Sequence, residues 1–149
     1  MTLRISSELL TRLRALAQAT PDREVCGLLL GCGSEVRDVR PAANVAAAPQ
    51  IHFEIDPATL IAAHRAARSG GPQVIGCYHS HPEGRARPSA EDARLAAPDG
   101  QYWMILGTDG ETAWQAVAGG DVYDRFIPVA LASPDSVGQR ETSADLPPF

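Results

Sequence analysis

Two segments leave this chain little freedom in how it folds. Residues 24–31, EVCGLLLG, and residues 73–78, QVIGCY, are short and almost wholly apolar. Each falls below the ~10–12 residues that a buried helix needs. Neither alternates polar with apolar residues as a half-exposed strand does, so each reads as a strand covered on both faces. Such strands require helices on either side of a sheet. The flanking sequence offers them. Ser6 or Ser7 caps a first helix whose stripe is Leu9, Leu10, Leu13 and Leu16, ended by Thr20-Pro21-Asp22. Asp56-Pro57 puts an N-cap before a first-turn proline and opens a second helix, which Gly70-Gly71 stops after about Arg68. Pro88-Ser89 opens a third, short helix to about Ala97.

Further strands are expected over residues 35–40, 51–55, 102–106, 112–117 and 122–129. Asp109-Gly110 is a hairpin signal, and Gly33-Ser34 and Gly119-Gly120-Asp121 are turns. The alanine-rich stretch 42–49 reads neither way. The order is helix, strands, helix, strand, short helix and a β-meander, without internal repeat. That outline predicts an α/β (α+β) sandwich, a mixed β-sheet flanked by helices, over residues 1–130. From residue 131 to 149 the sequence gives way to Ser, Pro, Asp and Gln, and a flexible C-terminal tail is expected.

Composition narrows the function classes. With 149 residues, 44% hydrophobic and 21% charged, the chain can build one ordinary core. Its net charge of -5, with no basic run, argues against a nucleic-acid partner. No apolar run reaches membrane-spanning length, and the amino terminus lacks the apolar core of a signal peptide. Three cysteines, Cys26, Cys32 and Cys77, do not make a disulfide framework. A reducing cytoplasm is the expected compartment.

The strand 73–78 delivers the chain to His79-Ser80-His81-Pro82. Side chains at i and i+2 of a strand project together, about 6–7 Å apart. Pro82 pushes His81 toward the extended backbone that this needs. Asp92 follows on the first turn of the third helix, where the helix N-terminus stabilises a carboxylate. Two histidines and a carboxylate are a donor set of catalytic zinc, which keeps a fourth position open. A simpler reading makes Ser89 and Asp92 a local Ser-x-x-Asp capping box, and spacing alone does not choose between the two.

A zinc hydrolase needs a proton acceptor. Glu24, an acid at the mouth of an apolar strand, is the candidate, although an isolated strand-end glutamate is ordinarily just a solvated charge. Ser89 can donate a hydrogen bond to a developing oxyanion. Glu83 is expected to be solvated in a loop, and Glu91 to face away from Asp92 by about 100°. His52 and His64 are expected on a strand's polar face and a helix surface. Cys26 shares the face of Glu24 and is expected to pack as a small hydrophobe.

Taken together, Glu24 in EVCGLLLG, His79-Ser80-His81-Pro82 and Ser89-Ala90-Glu91-Asp92 resemble the JAMM motif of the MPN-domain (JAB1/MPN/Mov34) metalloproteases. That motif is Glu, then His-Ser/Thr-His-Pro, then, six residues on, Ser-x-x-Asp, and no core position departs from it. The Cys before Gly in the first strand is most similar to the small stand-alone prokaryotic members. The resemblance implies a cytidine-deaminase-like sandwich holding one Zn2+ on His79, His81 and Asp92, with Glu24 as acid/base and Ser89 as oxyanion helper. It implies hydrolysis of an amide or isopeptide bond at the carboxyl terminus of a ubiquitin-like or ThiS/MoaD-like sulfur-carrier protein, often beside an E1-like activating enzyme. Two other readings stand beside it: a peptidase on another amide, of the cell-wall peptide type, and a non-catalytic MPN scaffold. A true deaminase is disfavoured, because no Cys-x-x-Cys occurs. Oligomeric state is not legible.

Overall fold

The computed structural model describes residues 1–134. The elements are β1 (Thr2–Arg4), α1 (Ser7–Ala19), β2 (Cys26–Cys32), β3 (Glu35–Ala42), α2 (Pro57–Arg68), β4 (Gln73–Ser80), α3 (Ala90–Leu95), β5 (Tyr102–Gly107), β6 (Gly110–Gly120) and β7 (Asp124–Ala132). The strands form one mixed sheet in the order β1-β3-β2-β4-β5-β6-β7. It closes because β1 pairs in parallel with both β3 and β7. The expected mixed sheet with flanking helices is present, and a cytidine-deaminase-like sandwich is compatible with it.

The two faces of the sheet sort the side chains by strand alternation. On β5, Tyr102, Met104 and Leu106 join a core to which all seven strands contribute and on which α1 packs through Leu13. Trp103 and Ile105 point the other way, into a cluster with Phe53, Ala86 and Ala96. On β2, Leu29 faces α1, while Leu28 and Leu30 meet Ala63 of α2. The apolar runs of the sequence are therefore strands covered on both faces, as continuous hydrophobicity requires.

Helix boundaries follow from the caps. Ser6 Oγ accepts from Leu9 N at 3.1 Å, and Asp56 accepts from Ala58 N ahead of Pro57. α3 is shorter than the expected helix to Ala97, and β2 starts two residues after Glu24.

Two expectations are corrected, and one strand, β1, was not expected. Residues 51–55 are not a strand; apart from a single bridge between Asn44 and Ile55 they form an irregular segment. Three-residue β1 has one buried apolar side chain, Leu3, too little for a sequence pattern, yet it closes the sheet. The last strand begins at Asp124 rather than 122 and runs on through Ala132, where Leu131 and Ala132 pair with Leu3 and Arg4. The expected tail from residue 131 thus begins inside β7, and its residues 135–149 lie outside the described residues. Among the described residues, no helix is long and apolar enough to cross a membrane.

The connection from β4 to β5 positions the site. These strands are parallel neighbours, so the chain must cross over between them. A crossover helix runs antiparallel to its strands, which brings the N-terminus of α3 to the end of β4 where the histidines lie. The β5–β6 hairpin pins the intervening loop. Asp109 Oδ1 accepts from Ala86 N at 2.8 Å, and Thr108 N donates to Gly84 O at 2.8 Å. Gly107 makes this approach possible, since a Cβ there would meet Ala86 N at 2.2 Å.

Candidate metal centre

β4 ends at Ser80, but its pairing continues one residue further, because His81 N donates to Leu106 O at 2.8 Å. The backbone is therefore still extended at His81, and both imidazoles reach one point, with Nε2 atoms 3.0 Å apart. Asp92, the third residue of α3, brings Oδ2 to 3.2 Å from His79 Nε2 and 3.3 Å from His81 Nε2. The same carboxylate closes a capping box: Ser89 N donates to Asp92 Oδ2 at 2.9 Å, and Asp92 N donates to Ser89 Oγ at 3.0 Å. The capping box and the donor triangle share one geometry. The cap holds the carboxylate where the histidines need it.

Hydrogen bonding alone does not account for this triangle. An imidazole N–H points along its ring plane and serves one partner well, while here two Nε2 atoms and one carboxylate oxygen are in mutual contact. Tetrahedral bonds of about 2.0–2.2 Å to N and O give donor–donor edges of roughly 3.3–3.6 Å. The observed edges of 3.0, 3.2 and 3.3 Å lie at or just below the lower end of that range. The donors fit a small divalent cation of borderline softness.

The surroundings set the protonation states. His81 Nδ1 lies 2.8 Å from Arg85 O and can only donate to it, which leaves Nε2 with a lone pair in the neutral ring. His79 is fully buried, and its ring lies flat on Phe53, centroids 4.2 Å apart at 18°, with Trp103 edge-on. Burial holds the His79 imidazole below its ordinary pKa, against the pull of Asp92, so it is a neutral donor. Burial alone would raise the Asp92 carboxyl, but hydrogen bonds to His79 and His81 outweigh it and keep the group well below the usual carboxylate range. Burial also opposes the charged form of His81; there Asp92, the Arg85 carbonyl and Glu24 prevail and raise it.

Glu24 is 6% exposed, and its carboxylate lies with the donor nitrogens of His79 and His81 in a group whose atoms are all within 4.8 Å of one another. Burial pushes its pKa up to about 7, moderated by His81. A carboxyl poised there can take up a proton and return it near neutral pH. Ser89 uses its oxygen to cap α3, which leaves its hydroxyl proton to donate elsewhere. It lines a groove of about 490 Å³ together with Asp22, Glu24, Ile51, His81 and Glu83. A second groove of about 450 Å³ runs past Ser80, His81, Leu106 and Thr108 to the Arg14–Glu111 ion pair. Both share Pro21, His81 and Pro82, so an open cleft passes on either side of His81.

Other expected positions also resolve. Glu83 is exposed, and Glu91 is held by Arg94 at 2.9 Å. His64 is exposed on α2, and neither it nor His52 joins the donor group. Cys26 is buried against Phe53 and pairs across strands with His79. Burial pushes its thiol up to about 12, so it packs as a protonated apolar group. Sequence reasoning missed Phe53 and Trp103 around His79, Ser80, and Asn44. Ser80 Oγ accepts from Val25 N at 2.9 Å. Asn44 donates to Glu24 O at 2.9 Å. An asparagine inside an alanine-rich stretch was the available signal for the last.

The chain is similar to several known proteins. The family model for prokaryotic homologs of the JAB domain matches residues 6–117. A desampylase of Haloferax volcanii is 39% identical over 105 residues, which cover 68% of this chain and 75% of the relative. A probable TtuB-protein conjugate cleaving protease of Thermus thermophilus is 34% identical over 122 residues, covering 82% of this chain and 81% of the relative. Among solved structures, a protein from Desulfitobacterium hafniense superposes with a TM-score of 0.73 at 27% identity, covering 89% of this chain and 92% of that one. With the family's motif residues gathered at one cleft, the chain belongs to the prokaryotic homologues of the JAB domain.

Proposed function

We propose that the chain is a zinc-dependent isopeptidase of the JAMM type, hydrolysing the amide bond that follows the carboxyl terminus of a ubiquitin-like or sulfur-carrier protein. The observation that carries this reading is the donor triangle of His79, His81 and Asp92 with the buried carboxylate of Glu24 beside it. The relatives support the substrate class, since one is named a desampylase and another a protease cleaving TtuB–protein conjugates.

In this reading His79, His81 and Asp92 hold the ion, and zinc when bound supplies Lewis acidity toward the scissile carbonyl and toward water. Glu24 takes the proton from the attacking water and passes it to the leaving amine, so each turnover returns it to its starting state. The Ser89 hydroxyl donates to the oxyanion that forms on the carbonyl. The Arg85 carbonyl keeps His81 in one tautomer, and Phe53 keeps the His79 ring from turning. The open cleft on both sides of His81 accommodates one chain carrying the carbonyl and another carrying the amine.

The test uses a ThiS/MoaD-type protein with a carboxyl-terminal extension. Purified chain should bind one zinc and remove the extension. A strong chelator should abolish cleavage and added zinc restore it. Cleavage that survives complete removal of metal contradicts the reading.

A further inference from the structure

Glu24 lies outside the ladder of β2, which begins at Cys26, so something other than strand pairing must fix it. Its amide donates to Pro49 O at 2.8 Å and its carbonyl accepts from Asn44 Nδ2 at 2.9 Å. Both partners belong to the segment between β3 and α2. Asn44 Nδ2 donates also to His52 O at 2.9 Å, and Oδ1 accepts from Ala46 N at 3.1 Å and Glu54 N at 3.0 Å. Two donated and two accepted bonds use the whole capacity of a primary amide. They also fix its orientation, since a flipped amide would face two carbonyls with oxygen and two N–H groups with nitrogen. The residues that the side chain brackets, His52 and Glu54, flank Phe53, whose ring lies flat on His79.

We propose that Asn44 is a positioning residue: its amide ties the backbone of Glu24 to the segment that holds Phe53 against His79, and so sets the acid/base carboxylate relative to the imidazoles. The role of Glu24 itself rests on the isopeptidase reading above. Other side chains cannot make this set of bonds. Aspartate has no donor, serine donates once, and alanine makes none.

The test compares Asn44→Ala and Asn44→Asp with Gln115→Ala, which removes a half-buried amide bond to Gly100 O that involves no residue of the site. Asn44→Asp keeps both acceptor bonds and loses both donor bonds. Zinc content, Tm, amide hydrogen exchange at Glu24 and Glu54, and kcat and KM on the extended ThiS/MoaD-type protein are measured well below each Tm. Both Asn44 variants should keep zinc, exchange faster at Glu24, and lose about ten- to a hundredfold in kcat. KM should stay within about twofold. Gln115→Ala should keep its kcat. The proposal is overturned if either Asn44 variant has the parental kcat. It is also overturned if exchange at Glu24 is unchanged, or if Gln115→Ala loses as much kcat as the Asn44 variants. A parent chain without zinc-dependent cleavage overturns the isopeptidase reading instead, and the exchange comparison then decides the tie between Asn44 and Glu24 by itself.

Discussion

One oxygen of Asp92 serves two purposes: Oδ2 accepts the Ser89 backbone N–H at 2.9 Å and faces the two imidazoles at 3.2 and 3.3 Å. The helix cap and the donor triangle therefore share an atom, and capping and the proposed cation binding should separate on substitution. Ser89→Ala removes the cap and the hydroxyl donor but leaves the triangle intact. It should cost about 0.5–2 kcal/mol of stability and about a hundred- to a thousandfold in kcat, with zinc retained. Asp92→Asn should leave the fold standing and lose zinc. Zinc titration and thermal melts distinguish the two. Loss of zinc from Ser89→Ala would show that the hydroxyl belongs to the ion's binding set.

Phe53 supports His79 from outside the sheet. Its ring is buried, flat on the imidazole and edge-on to Trp103. Phe53→Ala should destabilise the chain by about 3–5 kcal/mol. By freeing the His79 ring it should also weaken zinc binding by about ten- to a hundredfold. Phe53→Leu keeps much of the apolar volume and loses the stack, and should recover most of the stability but less of the affinity. Competition against a chelating dye gives the affinity and chemical denaturation gives the stability. Equal recovery of both by leucine would reduce Phe53 to a space-filler.

The buried thiols give a pH dependence of known sign. Burial pushes Cys26 up to about 12 and also raises Cys77 and Tyr78 above their ordinary values. A group whose pKa is raised by folding favours the folded state below its unfolded pKa and loses that contribution as pH rises. Unfolded thiols ionise near 9, so stability should be flat through neutral pH and fall above about 9. The slope should be roughly 1.4 kcal/mol per pH unit for each buried thiol. Cys77→Val should lessen that slope. At neutral pH an alkylating reagent should modify exposed Cys32 rapidly and spare the other two. Prompt reaction of Cys26 would mean that the apolar cluster behind His79 opens readily.

Where local chemistry decides the structure, the sequence was readable. The period of two in a strand and the extended bias before Pro82 are enough to place His79 and His81 together. Ser-x-x-Asp marks the start of α3, and Asp109-Gly110 marks the hairpin. Burial of Glu24 was not readable in the same way: a strand-end glutamate is ordinarily solvated, yet this residue is 6% exposed. Long-range pairing was not readable. β1 carries a single buried apolar residue and gains its place from β7, more than a hundred residues away in sequence. Residues 51–55 alternate like a strand, yet Asn44 occupies the hydrogen-bonding groups a strand partner would need, through His52 O and Glu54 N. The same bonds deliver Phe53 to His79, which no pattern within the segment could announce. Closure of the sheet and the supports of the site are tertiary facts, whereas the donor set is local.

The central claim is that Glu24 moves protons and does not hold the ion. Glu24→Gln keeps size and polarity and removes the base. Zinc content and cleavage of the extended ThiS/MoaD-type protein, measured on the same preparation, test it most directly. The account predicts one zinc per chain, a Tm at or above the parent's because a buried carboxylate has been neutralised, and cleavage reduced by at least about a hundredfold. A Glu24→Gln chain that cleaves at the parental rate, or one that has lost its zinc, would contradict it.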